Sequence, residues 1–172
     1  LIDKEATRRN IIQKIEWIIN NSTKDDNVLI FYDGHGQFKR SLNKGYWVPV
    51  DASTNSTADY ISNNDIRTYI GGIPSKHTLL ITDACFAGDI FRGKKTETIP
   101  FDPSDMTKYY REVYNKPSRL ALTSGSLEQV ADAGKNNHSI FTYYLLKSLE
   151  DNQQKYLDAS QLFNDFRMAV TN

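Results

Sequence analysis

Apolar residues along this chain form two kinds of pattern, one with helical spacing and one of short continuous runs. Isoleucines recur at helical spacing between residues 11 and 19, which predicts an amphipathic helix with Thr7 as its N-cap. The run Val28–Tyr32 is too short for a helix and predicts a strand that is buried on both faces. Leu79–Thr82 predicts a second buried strand, and Arg119–Thr123 predicts a third.

Further helices are predicted from periodic apolar residues and the residues that flank them. Ser62 is placed to cap a helix that Gly71 and Gly72 end, Ser139 to cap another, and a last helix follows Asp158. The alternation of strands with helices predicts an α/β domain with a largely parallel sheet. In such sheets, ligands bind beyond the carboxyl ends of the strands.

Two connecting regions differ from these elements in composition. Gln37–Lys44 is polar and is predicted as a loop, whereas Tyr46–Val50 is predicted as an edge strand or a hairpin arm because Pro49 cannot donate to a sheet. Phe91–Pro117 is polar and proline-containing, with only a weak helical pattern at Met106–Val113. Connections of this length are uncommon in compact domains and are usually functional or mobile.

Composition narrows the classes of function. The length of 172 residues suits one domain, and 21 basic and 21 acidic residues give a net charge of zero, which argues against nucleic-acid or membrane binding driven by bulk charge. No apolar run approaches the ~20 residues that a membrane span needs. The single cysteine cannot form an internal disulfide, so we expect a reducing, cytoplasmic setting.

A histidine and the single cysteine follow the first two predicted strands. Tyr32–Gly36 carries His35 between two glycines, and Asp83–Gly88 carries Cys85. If these strands are neighbours, ~4.8 Å apart, the imidazole and the thiol can meet. The imidazole can then take the thiol proton and later deliver it to a leaving amine. Each residue alone is more often structural, but two such strand ends together favour a cysteine-nucleophile hydrolase.

The tetrahedral intermediate of such a reaction needs hydrogen-bond donors for its oxyanion. The backbone N–H of Gly36 is one candidate donor, and the backbone N–H of Cys85 is the other.

These motifs resemble the caspase and metacaspase family of cysteine peptidases. The chain has His-Gly after one strand and Asp-x-Cys-x-x-Gly after the next, and His35 lies 50 residues before Cys85, close to the ~50-residue spacing of the caspase signature. Further matching segments are Leu122–Ser126, Ala131–Asp132 and Ser139–Thr142. The resemblance covers most of the chain and implies a caspase-like three-layer α/β/α sandwich with a mostly parallel central sheet, lacking its first strand here.

The resemblance also implies roles for individual residues. Cys85 matches the nucleophile and His35 the general base and acid, with Gly36 and Cys85 as the oxyanion donors. Asp83 and Asp132 match acids of the primary specificity pocket in metacaspases, which implies cleavage after Arg or Lys. The alternatives are a strand-end hydrogen bond for Asp83 and a loop-capping role for Asp132.

The resemblance implies a division of the single domain, residues 1–172. Residues 1–91 are large-subunit-like, 92–117 form a linker and 118–172 are small-subunit-like. The family's first strand would precede residue 1, so we expect a missing N-terminal segment, a regulatory domain or a partner chain to complete the sheet. We also hypothesise that the linker is self-cleaved after a basic residue. An intact mass without Cys85-dependent nicking would contradict this.

Other functions stay open at this point. The chain is alternatively a catalytically silent caspase-fold scaffold, or a caspase-like protease that cuts after Asp. A third alternative, an α/β hydrolase with a cysteine nucleophile, lacks the usual nucleophile elbow because Asp83 stands where its first glycine belongs.

The expected partner is a protein or peptide substrate, with no nucleic acid and no membrane. The sequence requires no cofactor and no metal. Calcium is a weak candidate for a bound ion. The acidic residues that could bind it form no compact loop pattern: Glu97, Asp102 and Asp105.

Overall fold

A computed structural model of the chain describes residues 1–84, 104–125, 136–155 and 157–171. Its helices are α1 (Arg8–Asn21), α2 (Asn63–Gly72), α3 (Met106–Asn115), α4 (Ile140–Glu150) and α5 (Ala159–Thr171). Its strands are β1 (Asn27–Asp33), β2 (Gly36–Lys39), β3 (Lys44–Trp47), β4 (Ile61–Ser62), β5 (His77–Asp83) and β6 (Ser118–Thr123).

The central sheet is parallel, as the sequence predicts, and its strand order is β1-β5-β6. Asn27 lies opposite His77 at one end of the β1–β5 pair, and Asp33 lies opposite Asp83 at the other. The two strands therefore end level with each other, at the same edge of the sheet. A second, antiparallel sheet has the order β2-β3-β4 and follows directly after β1.

Side-chain caps fix where the helices begin. Thr7 Oγ1 accepts a hydrogen bond from the backbone N–H of Asn10 at 3.2 Å, and Ser62 Oγ accepts one from Asp65 at 3.1 Å. Ser139 Oγ does the same for Thr142 at 2.9 Å. Each bond satisfies a helix N–H that has no partner within the helix. The predicted starts of α1, α2 and α4 are therefore confirmed.

Consecutive residues of β5 pack into two separate cores. Leu80 packs with isoleucines of α1 and α2 on one face, and Ile81 packs with α4 and α5 on the other. Successive strand residues point to opposite faces, so a run such as Leu79–Thr82 supplies both cores. The result is a three-layer α/β/α sandwich, which confirms the predicted fold class.

The expectation that β1 is buried on both faces is wrong. Leu29 is 63% exposed and Phe31 is 48% exposed, whereas Val28, Ile30 and Tyr32 pack against the core beneath α1 and α2. Among the described residues β1 pairs only with β5, so it lies at an edge of the sheet. The second core centres on β5 and β6, and within the described residues it leaves Leu29 and Phe31 on this face of β1 exposed.

The predicted loop Gln37–Lys44 is instead mostly a hairpin. It contains the greater part of β2, a single 3₁₀ turn and the start of β3. Asn43 closes the turn with a left-handed φ of 49°, which asparagine tolerates better than most residues. The alternating polar residues of β2 point to solvent, and this alternation gives the strand its loop-like composition. The expected hairpin arm is present as β3 and ends before Pro49.

Candidate active site

His35 lies in the short junction between β1 and β2, where its side chain is exposed. Its main chain is held from two directions. The backbone N–H of Val48 donates to the His35 carbonyl at 2.9 Å, and the Tyr32 hydroxyl donates to the same oxygen at 3.0 Å. The imidazole therefore projects from a fixed peptide backbone, an arrangement compatible with the predicted role of His35 as a general base.

The junction lies against the end of β5. The backbone N–H of Gly34 donates to the Asp83 carbonyl at 3.2 Å, one step beyond the last register pair of the two strands. From Asp83 the chain continues through the buried Ala84 to the predicted nucleophile. Cys85 itself lies outside the described residues, as does Asp132.

The peptide that joins His35 to Gly36 has a defined orientation. It is trans, so its C=O and its N–H point in opposite directions. The carbonyl points toward Val48, which directly follows β3, and the N–H of Gly36 therefore points away from β3. Gly36 lies opposite Trp47 at a position where an antiparallel pair exchanges no hydrogen bonds, which agrees with this orientation.

Asp83 is a buried carboxylate that joins β5 to the start of α4. It is only 5% exposed, and its Oδ2 atom accepts hydrogen bonds from the hydroxyls of Ser139 and, at 2.6 Å, Thr142. Because Ser139 is also the N-cap of α4, the carboxylate faces the positive end of that helix. The strand-end hydrogen bond weighed as an alternative for Asp83 is thus present. The specificity role of Asp83 stays a prediction.

Asp33 places a second carboxylate at this edge of the sheet. It lies opposite Asp83 on the neighbouring strand, and its side chain is exposed. Partial burial raises the pKa of Asp33, the negative charge of Asp83 raises it further, and the nearby His138 acts in the opposite direction. The sequence patterns assigned no role to this residue, although it stands within the motif around His35.

Tyr32 and Trp47 are two further residues of the site that the sequence patterns did not identify. Their rings stack with centroids 3.9 Å apart and planes 4° from parallel. Trp47 is 2% exposed and forms part of the core beneath α1 and α2. The available signal was the position of Tyr32 on the core-facing side of an apolar strand, where a phenol hydroxyl needs a hydrogen-bond partner.

The described residues offer no group of three or more His, Cys, Asp or Glu side chains arranged to hold a metal ion. Of the three acids named as weak calcium candidates, Asp105 instead caps α3 by accepting from the backbone N–H of Lys108 at 2.9 Å. Glu97 and Asp102 lie outside the described residues. Across the described part of the chain, no helix has the length and apolar character needed to traverse a bilayer.

Comparisons with known proteins agree with the fold. A family model described as a caspase domain matches residues 2–172. Among solved structures, the chain is similar to protein GSU0716 from Geobacter sulfurreducens, a crystal structure with 17% sequence identity and a TM-score of 0.60. The match covers 99% of this chain and 70% of that one, and at this identity it bears on the fold only. A search of curated proteins finds no significant match.

Proposed function

Because this chain belongs to the caspase domain family, we propose that it is a cysteine endopeptidase with His35 and Cys85 as its catalytic dyad. One observation carries the proposal. β1 and β5 pair in register up to Asp33 and Asp83, their last residues. The segments that lead to His35 and to Cys85 therefore leave the sheet at the same edge. The family match supports a protein of the cysteine-peptidase type. Substitution of His35 and Cys85 tests the proposed dyad.

The proposed reaction runs in two halves. His35 takes the proton of the Cys85 thiol, and the sulfur attacks the carbonyl carbon of the cleaved peptide bond. The resulting oxyanion accepts hydrogen bonds from the N–H groups of Gly36 and Cys85. His35 then gives its proton to the departing amine, which leaves a thioester on Cys85. Water hydrolyses this thioester, with His35 taking a proton from the water as the thiolate departs.

The proposed specificity is for Arg or Lys before the cleaved bond. Asp83 supports this proposal because its buried carboxylate brings negative charge to the end of β5, and a cationic side chain would bind there through charge-assisted hydrogen bonds. Asp33 adds negative charge on the neighbouring strand. An Asp side chain of a substrate would be repelled at the same place. Asp132 completes the proposed pocket by family resemblance.

The proposal extends to the setting of the protein. A reducing cytoplasm would keep the Cys85 thiol available for catalysis. A further segment of the protein or a partner chain would cover the exposed side chains of β1, of which Leu29 and Phe31 are the largest. The substrate would be a protein or a peptide.

The test is a cleavage assay on the full-length protein with matched fluorogenic peptides that end in Arg, Lys or Asp, each with and without calcium. We expect cleavage after Arg or Lys, and a loss of at least about 10⁴-fold in kcat in Cys85→Ala and in His35→Ala. His77→Asn is the matched histidine control, because His77 lies at the opposite end of β5.

Each other outcome has a distinct meaning. Cleavage after Asp that depends on Cys85 would retain the dyad and overturn the proposed pocket. Cleavage that survives in Cys85→Ala would overturn the dyad. If no peptide is cleaved, a thiol-reactive peptide probe is added. Absence of His35-dependent labelling at Cys85 would then favour the catalytically silent scaffold.

A further inference from the structure

Two hydrogen bonds converge on the carbonyl oxygen of His35. It accepts one hydrogen bond from the backbone of Val48, at 2.9 Å, and one from the side chain of Tyr32, at 3.0 Å. A peptide group is rigid and planar, so fixing its oxygen also fixes its N–H. The N–H in question belongs to Gly36, the proposed oxyanion donor. The two bonds to the His35 oxygen therefore decide the direction in which that donor points.

The Tyr32 side chain is itself held in place. Its ring stacks on Trp47, whose own side chain is almost completely buried. Burial raises the pKa of the Tyr32 phenol, and this effect outweighs the opposing hydrogen bond from the backbone of Val48. The phenol therefore keeps its proton across the working pH range of a protease and remains a hydrogen-bond donor to His35.

Gly34 gives independent evidence for the position of this hydroxyl. A Cβ atom added at Gly34 would lie 2.9 Å from the Tyr32 hydroxyl oxygen and 3.0 Å from the ring carbon that bears it. The contact of 2.9 Å is shorter than real Cβ contacts, so a side chain at residue 34 would displace the phenol. The stack on Trp47 leaves the ring little freedom to move away. The glycine before His35 is thus explained by the phenol that folds back over it.

We propose that Tyr32 is a positioning residue for the oxyanion hole: its hydroxyl, together with the Val48 N–H, locks the His35–Gly36 peptide so that the Gly36 N–H is aimed before the substrate arrives. The inference rests on the proposed peptidase function, since an oxyanion forms only if Cys85 attacks a carbonyl. Donors that are already oriented stabilise a transition state without reorganising during the reaction.

Tyr32→Phe in the full-length protein is the direct test, because it keeps the ring and the stack and removes only the hydroxyl. Loss of a complete oxyanion donor costs about 10²–10³-fold in kcat. Because Val48 still holds the carbonyl, we expect a decrease of about 10-fold in kcat with KM changed by less than about twofold.

A peptide aldehyde provides a second measurement, because its thiol adduct places an oxygen in the oxyanion hole. We expect its affinity to fall by about 10-fold in Tyr32→Phe, to match the loss in kcat. Alkylation of Cys85 by iodoacetamide forms no oxyanion, so its rate and its pH profile should not change. Tyr60→Phe is the matched control, because Tyr60 is a buried tyrosine that packs against Tyr46 and lies outside the proposed machinery.

The outcomes separate the inference from the proposed function. If the wild type cleaves peptides and Tyr32→Phe keeps full kcat and full aldehyde affinity, the inference is overturned and the peptidase stands. If the wild type cleaves nothing, the peptidase proposal fails, and ¹⁵N relaxation of the Gly36 amide still tests the orientation. We expect a lower order parameter for Gly36 in Tyr32→Phe and in Gly34→Ala. Unchanged relaxation in both variants would overturn the inference.

Discussion

The ends of β1 and β5 lie side by side but are held in opposite ways. At the end of β1, His35 exposes its side chain and is fixed through its backbone carbonyl. At the end of β5, Asp83 buries its side chain and is fixed through its carboxylate, by hydroxyls of α4. The difference suits the two tasks proposed for these residues. A group that transfers protons needs a mobile ring on a fixed backbone, whereas a fixed charge needs its own atoms held.

The comparison also predicts where substitutions will affect folding and where they will affect only chemistry. Replacing His35 removes an exposed ring and leaves its backbone bonds in place. Replacing Asp83 removes the acceptor for two hydroxyls and breaks these hydrogen bonds between the end of β5 and the start of α4. The three predictions below test this contrast, from the largest expected effect to the smallest.

Asp83→Ala should break the contrast most strongly. It leaves the hydroxyls of Ser139 and Thr142 without their acceptor in a buried place, so we expect a loss of about 2–4 kcal/mol in the free energy of unfolding. Urea unfolding followed by circular dichroism measures this loss. Asp83→Asn keeps the shape of the side chain and one acceptor oxygen, so it should lose less of the free energy of unfolding than Asp83→Ala does. Equal stability of Asp83→Ala and the wild type would show that the carboxylate does not hold α4.

Ser139→Ala should have an intermediate effect. The substitution removes the N-cap of α4 and one donor to Asp83, for which we expect about 1–2 kcal/mol of lost stability. Ser62→Ala is the matched control, because Ser62 caps α2 and makes its own side-chain bond within that helix, to Asp65. Ser139→Ala should lose more stability than Ser62→Ala, and the difference measures the hydrogen bond from Ser139 to Asp83 on β5. Equal losses would contradict a stabilising role for that hydrogen bond.

Asp33→Asn should have the smallest effect and should depend on pH. The pKa of Asp33 is raised in the folded protein from an ordinary value of 3.8, so the folded state holds its proton more tightly than the unfolded state. The protonated Asp33 carboxyl group therefore contributes favourably to the free energy of unfolding below about pH 3.8. This contribution is lost as the pH rises through the raised pKa. At pH 7 the variant should be more stable than the wild type by at most about 0.5 kcal/mol, because solvent screens this exposed group.

Unfolding midpoints of the wild type and of Asp33→Asn, measured between pH 3.5 and 7.5, test the sign. The advantage of the variant should grow as the pH rises and should vanish at the acidic end. An advantage that grows toward acid would mean that the pKa of Asp33 is lowered by folding, which would reverse the electrostatic account of this strand end.

Local features of the fold could be predicted from the sequence because they depend on neighbouring residues. The caps Thr7, Ser62 and Ser139 each bond a backbone N–H three residues later, so the starts of their helices are encoded within a few positions. The weak helical pattern at Met106–Val113 likewise corresponds to α3. The parallel direction of the strands in the central sheet followed from the alternation of strands with helices.

Features that depend on distant residues could not be predicted in this way. The partner of Ser139 at the end of β5 is 56 residues away in sequence, and no local pattern indicates it. The exposure of Leu29 depends on which strands flank β1, and an apolar run has the same composition at an edge as at the centre of a sheet. The role of Tyr32 depends on the hairpin that brings Val48 back to His35.

The pairing of β5 with β6 joins the first part of the chain to the part that follows residue 104. His77, at the start of β5, bonds the Ser118 hydroxyl at 3.0 Å and the Tyr114 carbonyl at 2.8 Å, and Arg119 donates to the carbonyl of Ile73 at 2.6 Å. These contacts do not require an intact backbone between residues 84 and 104. A single cut there would convert one folded chain into a heterodimer, whose stability would depend on the concentration of its two pieces.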